Sequence, residues 1–138
     1  MLLAEHTVTS QAPAEKIWKI WTDVLHWTEW DSEIEYAKMD DKFQLGGTGV
    51  LKPKGGPKTR FKIIALQEGI SFTDISFLPL TKLYFKHTIT SLPDGGCSFT
   101  HRIEISGILS FLFSKILGPK MRASLPQAMG KLNQLALI

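Results

Sequence analysis

Only one stretch of this chain carries a helical apolar period long enough to cover a sheet, and it comes last. Met121, Leu125, Ala128, Met129, Leu132, Leu135 and Ala136 recur at steps of three to four residues, one face of a long amphipathic helix. Ahead of it, from Ile34 to Ser106, strand-like segments follow one another at 34–41, 48–52, 59–67, 70–77, 82–91 and 97–106. A sheet must bury one face, and a single long helix is all that is available to bury it.

Breakers separate the strands: Gly46-Gly47, Pro53-Lys54-Gly55-Gly56-Pro57, Glu68-Gly69, Pro79 and Pro93-Asp94-Gly95-Gly96. Their spacing predicts an antiparallel meander joined by hairpins. A first strand precedes it at 2–11. Ala12-Pro13-Ala14-Glu15 then opens a short helix, proline being suited to a first helical turn. Its apolar face is Ile17, Trp18, Ile20, Trp21, Val24 and Leu25, and His26 to Trp30 reads as a second short helical turn. Residues 108–117 read as a separate apolar turn or helix, with Gly118-Pro119 interrupting it before the long helix. Pro126 is expected to kink that helix. The fold class is α+β, in the order strand, two short helices, six strands, long helix.

The 138 residues fit one domain, taken as 1–138, and 43% hydrophobic with 21% charged residues excludes disorder and coiled coil. The single cysteine, Cys97, excludes an internal disulfide and a multi-cysteine zinc site. The most apolar run, Ile105 to Ser114, is short of the roughly 20 residues a spanning helix needs. The N-terminus lacks the basic start and long apolar run of a secretory leader. The expected location is the cytoplasm. Charge is uneven: residues 1–51 hold nine acids and four bases (−5), and residues 52–138 hold four acids and twelve bases (+8), which sum to +3. The basic half carries no recognition motif, so nucleic acid is not an expected partner.

The opening Ala12 to Glu15, Ile17-Trp18, Thr22-Asp23 and the pair Trp27 and Trp30 resemble the bacterial polyketide cyclase/dehydrase-like proteins of the helix-grip (SRPBCC) superfamily, to which START lipid-transfer domains and the birch pollen allergen also belong. Thr100-His101-Arg102-Ile103 running into Ser106-Gly107, and Leu125-Pro126, extend the likeness over nearly the whole chain. The resemblance implies a helix-grip fold: a curved seven-stranded antiparallel sheet wrapped around the long C-terminal helix. It also implies a cavity for apolar ligands between sheet and helix.

Strand alternation selects what faces that cavity. In 82–91, Leu83, Phe85, His87 and Ile89 share a face; in 97–106, Phe99, His101, Ile103 and Ile105 do. A turn centred on Asp94-Gly95 places His87 opposite His101, Phe85 opposite Ile103 and Ile89 opposite Phe99. A slip of two residues would instead pair Lys86 with Glu104. Candidate ligand contacts are therefore Phe85, His87, Ile89, Phe99, His101 and Ile103 from the strands. The long helix adds Met121, Leu125 and Met129, and Trp27 and Trp30 stand at the floor or mouth. Trp18 and Trp21 are assigned to the core. No catalytic residue is committed; His87 and His101 are the candidates for proton transfer, being neutral imidazoles on an apolar face. Asp74 stays open, because both faces of 70–77 mix apolar and polar residues. No metal site and no cofactor are expected.

These residues support binding of a small hydrophobic molecule, lipid or polyketide-like, as carrier or sensor. Two alternatives stand beside it. One is a polyketide cyclase/dehydratase-type enzyme, in which cavity shape supplies much of the catalysis. The other is a protein-interaction module using an exposed Phe111-Leu112-Phe113 patch. Whether the chain is an enzyme stays open. A transient membrane contact also stays open, with the basic hairpin around Gly55-Gly56 (Lys52, Lys54, Lys58, Arg60, Lys62) as one anion-attracting element.

Overall fold

The structure is a computed structural model and describes residues 1–138. Seven strands form one antiparallel sheet: β1 (Leu2–Ser10), β2 (Ile34–Met39), β3 (Thr48–Pro53), β4 (Thr59–Gln67), β5 (Ser71–Leu78), β6 (Thr81–Ser91) and β7 (Cys97–Gly107). Helix α1 (Ala14–Thr22) and a 3-10 segment (Val24–Glu29) follow β1, and α2 (Ser110–Ala136) ends the chain.

The sheet order is β1-β7-β6-β5-β4-β3-β2. Strands β1 and β2, consecutive in sequence, thus lie at opposite edges. The chain crosses between them through α1 and the 3-10 segment, which close the open side of a curled half-barrel. Three bulges supply curl. Leu3, Glu35 and Ile64 are each an extra residue facing one on the neighbouring strand, and a bulge bends its strand and sharpens its twist. The displaced carbonyl of Leu3 accepts a hydrogen bond from Arg122 Nη1 at 3.2 Å.

The concave face packs against α1, the 3-10 segment and α2. Helix α1 buries Ile17, Trp18 and Trp21, spaced to face one way. Helix α2 buries Gly118, Leu125, Ala128, Met129, Leu132 and Ala136, and packs chiefly on β1. Trp21, Ile17, Phe61, Ile63, Phe72, Phe99, Ile105, Met129 and Leu132 are all shut away from solvent, so aromatic and branched side chains fill the grip.

Gly118-Pro119 does not interrupt the C-terminal segment. Helix α2 runs unbroken from Ser110 through both Pro119 and Pro126. Both prolines are exposed. The residues whose carbonyls lose an N–H partner, Lys115 and Arg122, are exposed as well, so each lost bond falls on the solvent side of the helix and the local penalty does not end it.

The hairpin β6–β7 adopts the register set by its turn. His87 faces His101, Phe85 faces Ile103, and Ile89 faces Phe99. Lys86 still reaches Glu104, Nζ to Oε2 at 3.0 Å, as a diagonal neighbour. The ion pair that argued for a two-residue slip therefore forms without one.

Candidate functional site

The inner face of the sheet carries a polar row inside an apolar wall. Across four neighbouring strands, His6 on β1 faces His101 on β7, His101 faces His87 on β6, and His87 faces Phe72 on β5. The His87 ring stacks on Phe72 with centroids 3.9 Å apart and planes within 8°. The two imidazoles of His87 and His101 sit 4.7 Å apart, edge to face. Both are buried, as is Asp74 on β5.

Helix α1 completes the cluster. Trp21 packs against both imidazoles, 5.2 Å from His87 and 5.4 Å from His101 by ring centroids. Its indole Nε1 donates to His101 Nε2 at 3.0 Å. That bond needs a lone pair on Nε2, so the neutral His101 ring carries its proton on Nδ1. His87 Nδ1 lies 3.3 Å from the Phe72 carbonyl oxygen. The carbonyl can only accept, so His87 holds its proton on Nδ1 and presents a lone pair at Nε2.

Burial sets the charges. It pushes the Asp74 carboxyl up to about 8 and the His87 imidazole down to about 3. His101 is held well below its ordinary value by burial first, then by the neighbouring His87 and His6. Near neutral pH the cluster is therefore a protonated carboxylic acid beside two neutral imidazoles. The 4.0 Å approach of His87 Nδ1 to Asp74 Oδ1 is a contact of neutral groups and not an ion pair. No three His, Cys, Asp or Glu side chains are grouped so as to hold a metal ion.

Two polar atoms of this wall have no partner: Asp74 Oδ1 and the indole Nε1 of Trp30. A buried unpaired polar atom costs about 1–3 kcal/mol, so such atoms call for an explanation. Trp27 differs from Trp30 in this respect. Its Nε1 donates to the Trp21 carbonyl at 2.9 Å, and its ring stacks on Phe61. Trp27 is thereby committed to the core, whereas Trp30, 5.9 Å from the His101 ring, keeps a free donor. A direct comparison follows. Trp27→Phe and Trp30→Phe remove the same atoms, but only the first breaks a hydrogen bond. Trp27→Phe should cost about 1–3 kcal/mol more in urea unfolding. Equal costs would mean that the Trp30 N–H is already satisfied.

Of the remaining strand and helix candidates, Ile89, Phe99, Ile103, Leu125 and Met129 are buried in the grip, and Phe85 and Met121 are half-buried against it. A hollow of about 460 Å³ opens between β1 and α2, lined by Leu2, Leu3, Ala4, Glu5, Arg122, Leu125 and Pro126. Among the sequence-nominated contacts only Leu125 borders it. His6 and Trp21 belong to the polar cluster although the sequence nominated neither for it, and Asp74, whose face the sequence left open, joins them. The basic hairpin is partly neutralised, since Lys52 pairs with Glu35 and Arg60 with Asp40.

The sequence matches the family described as polyketide cyclase / dehydrase and lipid transport over residues 1–136. The chain belongs to that family. No curated protein matches this family member in sequence. Its fold recurs in a START superfamily protein from Mycobacterium smegmatis (TM-score 0.74, 18% identity, 98% of this chain and 99% of that one). It recurs in a protein of Thermus thermophilus (TM-score 0.75, 13% identity, 97% and 96%). It recurs again in norcoclaurine synthase from Thalictrum flavum, in complex with dopamine and hydroxybenzaldehyde (TM-score 0.72, 15% identity, 96% and 84%). Family and fold are of the hydrophobic-ligand-binding helix-grip type. No helix is long and apolar enough to cross a membrane.

Proposed function

We propose that this protein holds a small hydrophobic molecule bearing one hydrogen-bonding group inside the grip, as a carrier or sensor. The observation that carries this reading is the pair of unpaired buried atoms, Asp74 Oδ1 and Trp30 Nε1, in an otherwise apolar wall. A ligand hydroxyl can accept from the Trp30 N–H and donate to Asp74 Oδ1, and a ligand carbonyl can accept from the Trp30 N–H or from the protonated Asp74 carboxyl. Phe99, Ile103, Leu125 and Met129 would take the apolar body, and methionine adapts its shape to what it meets. Because side chains fill the grip, ligand must displace them on entry. The hollow between β1 and α2 reaches the buried Leu3, Ala4 and Leu125, so entry is assigned there, with exposed Arg122 moving aside.

Native mass spectrometry of the purified protein tests this reading, followed by denaturing extraction. The expected result is a mass excess that denaturation releases as a hydrophobic molecule with a hydroxyl or carbonyl group. A mass equal to that of the chain, together with no saturable binding of a naphthalene-sulfonate dye, would overturn it.

A second reading, an enzyme of the cyclase or dehydratase type, is favoured by one observation. A protonated carboxyl and an imidazole lone pair occupy the same dry site, the arrangement an acid–base pair needs. Turnover of the extracted molecule or its precursors, abolished in Asp74→Asn, separates the enzyme from the carrier.

A further inference from the structure

The first turns of α2 are apolar on two sides. One stripe, Phe113, Leu117 and Met121, packs against the core. The other faces solvent: Ile108 is 82% exposed, Phe111 64%, Leu112 51% and Ile116 60%. Phe111, Leu112 and Ile116 share one face of the helix, and Ile108 lies in the turn that leads into it. Leu80, 65% exposed, extends the strip from the β5–β6 turn. The turn is tied to the start of α2 by a bond from the Leu109 N–H to the Leu80 carbonyl oxygen at 3.4 Å. Gly107 permits that approach, since a Cβ there would lie 2.4 Å from the same oxygen. Leu80 itself has φ 52°, a backbone state that a leucine rarely adopts. A helix apolar on both sides calls for cover on both.

Charge indicates what covers it. The chain has no Asp or Glu after Glu104, whereas Lys115, Lys120, Arg122 and Lys131 follow. Lys115 lies over the Phe111 ring, with Nζ 4.2 Å from its centroid, and Lys82 stands two residues beyond Leu80. Neither Lys82 nor Lys115 has a carboxylate partner, whereas Lys120 pairs with Glu33. Large apolar side chains in a strip, edged by unpaired lysines and free of acids, match a lipid interface carrying negative headgroups.

We infer that this strip is a docking surface for an anionic membrane: Leu80, Ile108, Phe111, Leu112 and Ile116 enter the headgroup–acyl boundary, and Lys82 and Lys115 face the phosphates. This goes beyond the ligand reading and does not depend on whether the grip holds anything.

Flotation with lipid vesicles tests it. The full chain should float with phosphatidylcholine vesicles containing about 30% phosphatidylserine, far less with phosphatidylcholine alone, and less as salt rises. Phe111→Ser with Ile116→Ser should weaken binding about tenfold or more. Lys82→Ala with Lys115→Ala should weaken binding to the anionic vesicles by about fivefold per charge. The substituted side chains are exposed, so unchanged thermal unfolding confirms that each variant is folded. If the serine pair does not fold, the lysine pair and the salt titration decide. Failure of the full chain to float with anionic vesicles would overturn the inference. So would a serine pair that floats as well as the parent, or anionic binding indifferent to salt and to the lysine pair. A dimer in solution that the serine pair converts to monomer would assign the strip to a second copy of the chain and overturn it as well.

Discussion

Trp21→Ala should cost about 3–5 kcal/mol of folding stability, a large share of the roughly 5–15 kcal/mol that holds a small domain together. Trp21 is fully buried. It meets Trp18, Phe72 and Phe99 edge to face, at 6.2, 5.7 and 6.2 Å between ring centroids. It also packs on both imidazoles and caps one of them through its N–H. Truncation opens a void where α1 meets the sheet and leaves the His101 acceptor unpaired. Urea unfolding should show a lower midpoint with an unchanged slope, the mark of lost stability without a changed unfolded state. Trp21→Phe separates the two contributions. It keeps part of the ring and removes the donor, so about 1–3 kcal/mol should go with the hydrogen bond. A cost for Trp21→Ala within about 0.5 kcal/mol, the range of ordinary surface changes, would show that α1 does not anchor the sheet through this side chain.

The difference between Trp21 and the strand histidines shows what the sequence makes legible. The β6–β7 register could be read because a tight turn at Asp94-Gly95 pins it locally, and both strands alternate cleanly. His87 opposite His101 follows from that turn alone. His6 faces His101 just as directly, but β1 and β7 are far apart in sequence and no turn fixes their register. A bulge at Leu3 shifts it further. Asp74 could not be placed because Ile70 and Phe72 argue for one face of β5 as strongly as Ile75 and Phe77 argue for the other. The structure buries Asp74 with Phe72 and Ser76, but also buries Ile75 on the opposite face. Trp21 was legible as core by its helical spacing. Its polar edge was not, since no sequence period reveals where an indole N–H points.

The same limit explains the helix. Gly118-Pro119 is a strong local breaker, and in isolation it would end a helix. Here Gly118 is buried and Pro119 is exposed. A Cβ at Gly118 would come within 2.9 Å of the Arg122 Nη1, the same atom that reaches the Leu3 carbonyl. The glycine thus leaves room for the side chain that joins α2 to the bulged edge strand. Tertiary contact overrides propensity at the point where helix and sheet edge meet.

The buried acid and imidazoles also fix how stability should vary with pH, and the sign changes near the ordinary histidine value of 6.5. Above that value the unfolded chain has its aspartate ionised and its histidines neutral. The folded chain still holds a proton on Asp74 until about 8. The folded state therefore binds one more proton, and stability falls as pH rises, by about 1.4 kcal/mol per unit. Over the window from about 6.5 to 8 the loss is on the order of 2 kcal/mol. Below about 6.5 the unfolded chain protonates the counterparts of His87 and His101, which the fold keeps neutral. Against these two protons the folded state holds one extra on Asp74 until the unfolded value of 3.8. The unfolded state is then ahead by one proton, and stability falls as pH drops. The parent should thus be most stable near pH 6.5. Asp74→Asn keeps the side-chain shape and cannot ionise. It should remove the Asp74 share of the alkaline fall, leaving only that of exposed His26, which its hydrogen bond to Asp23 holds above the ordinary value, and should roughly double the acid slope, because both buried histidine protons then count unopposed. Urea unfolding from about pH 5 to pH 8 reads both limbs. A parent curve flat on the alkaline side, or an Asp74→Asn curve parallel to it, would show that the folded protein holds no extra proton on Asp74 above pH 6.5, its carboxyl being ionised beside a neutral His87.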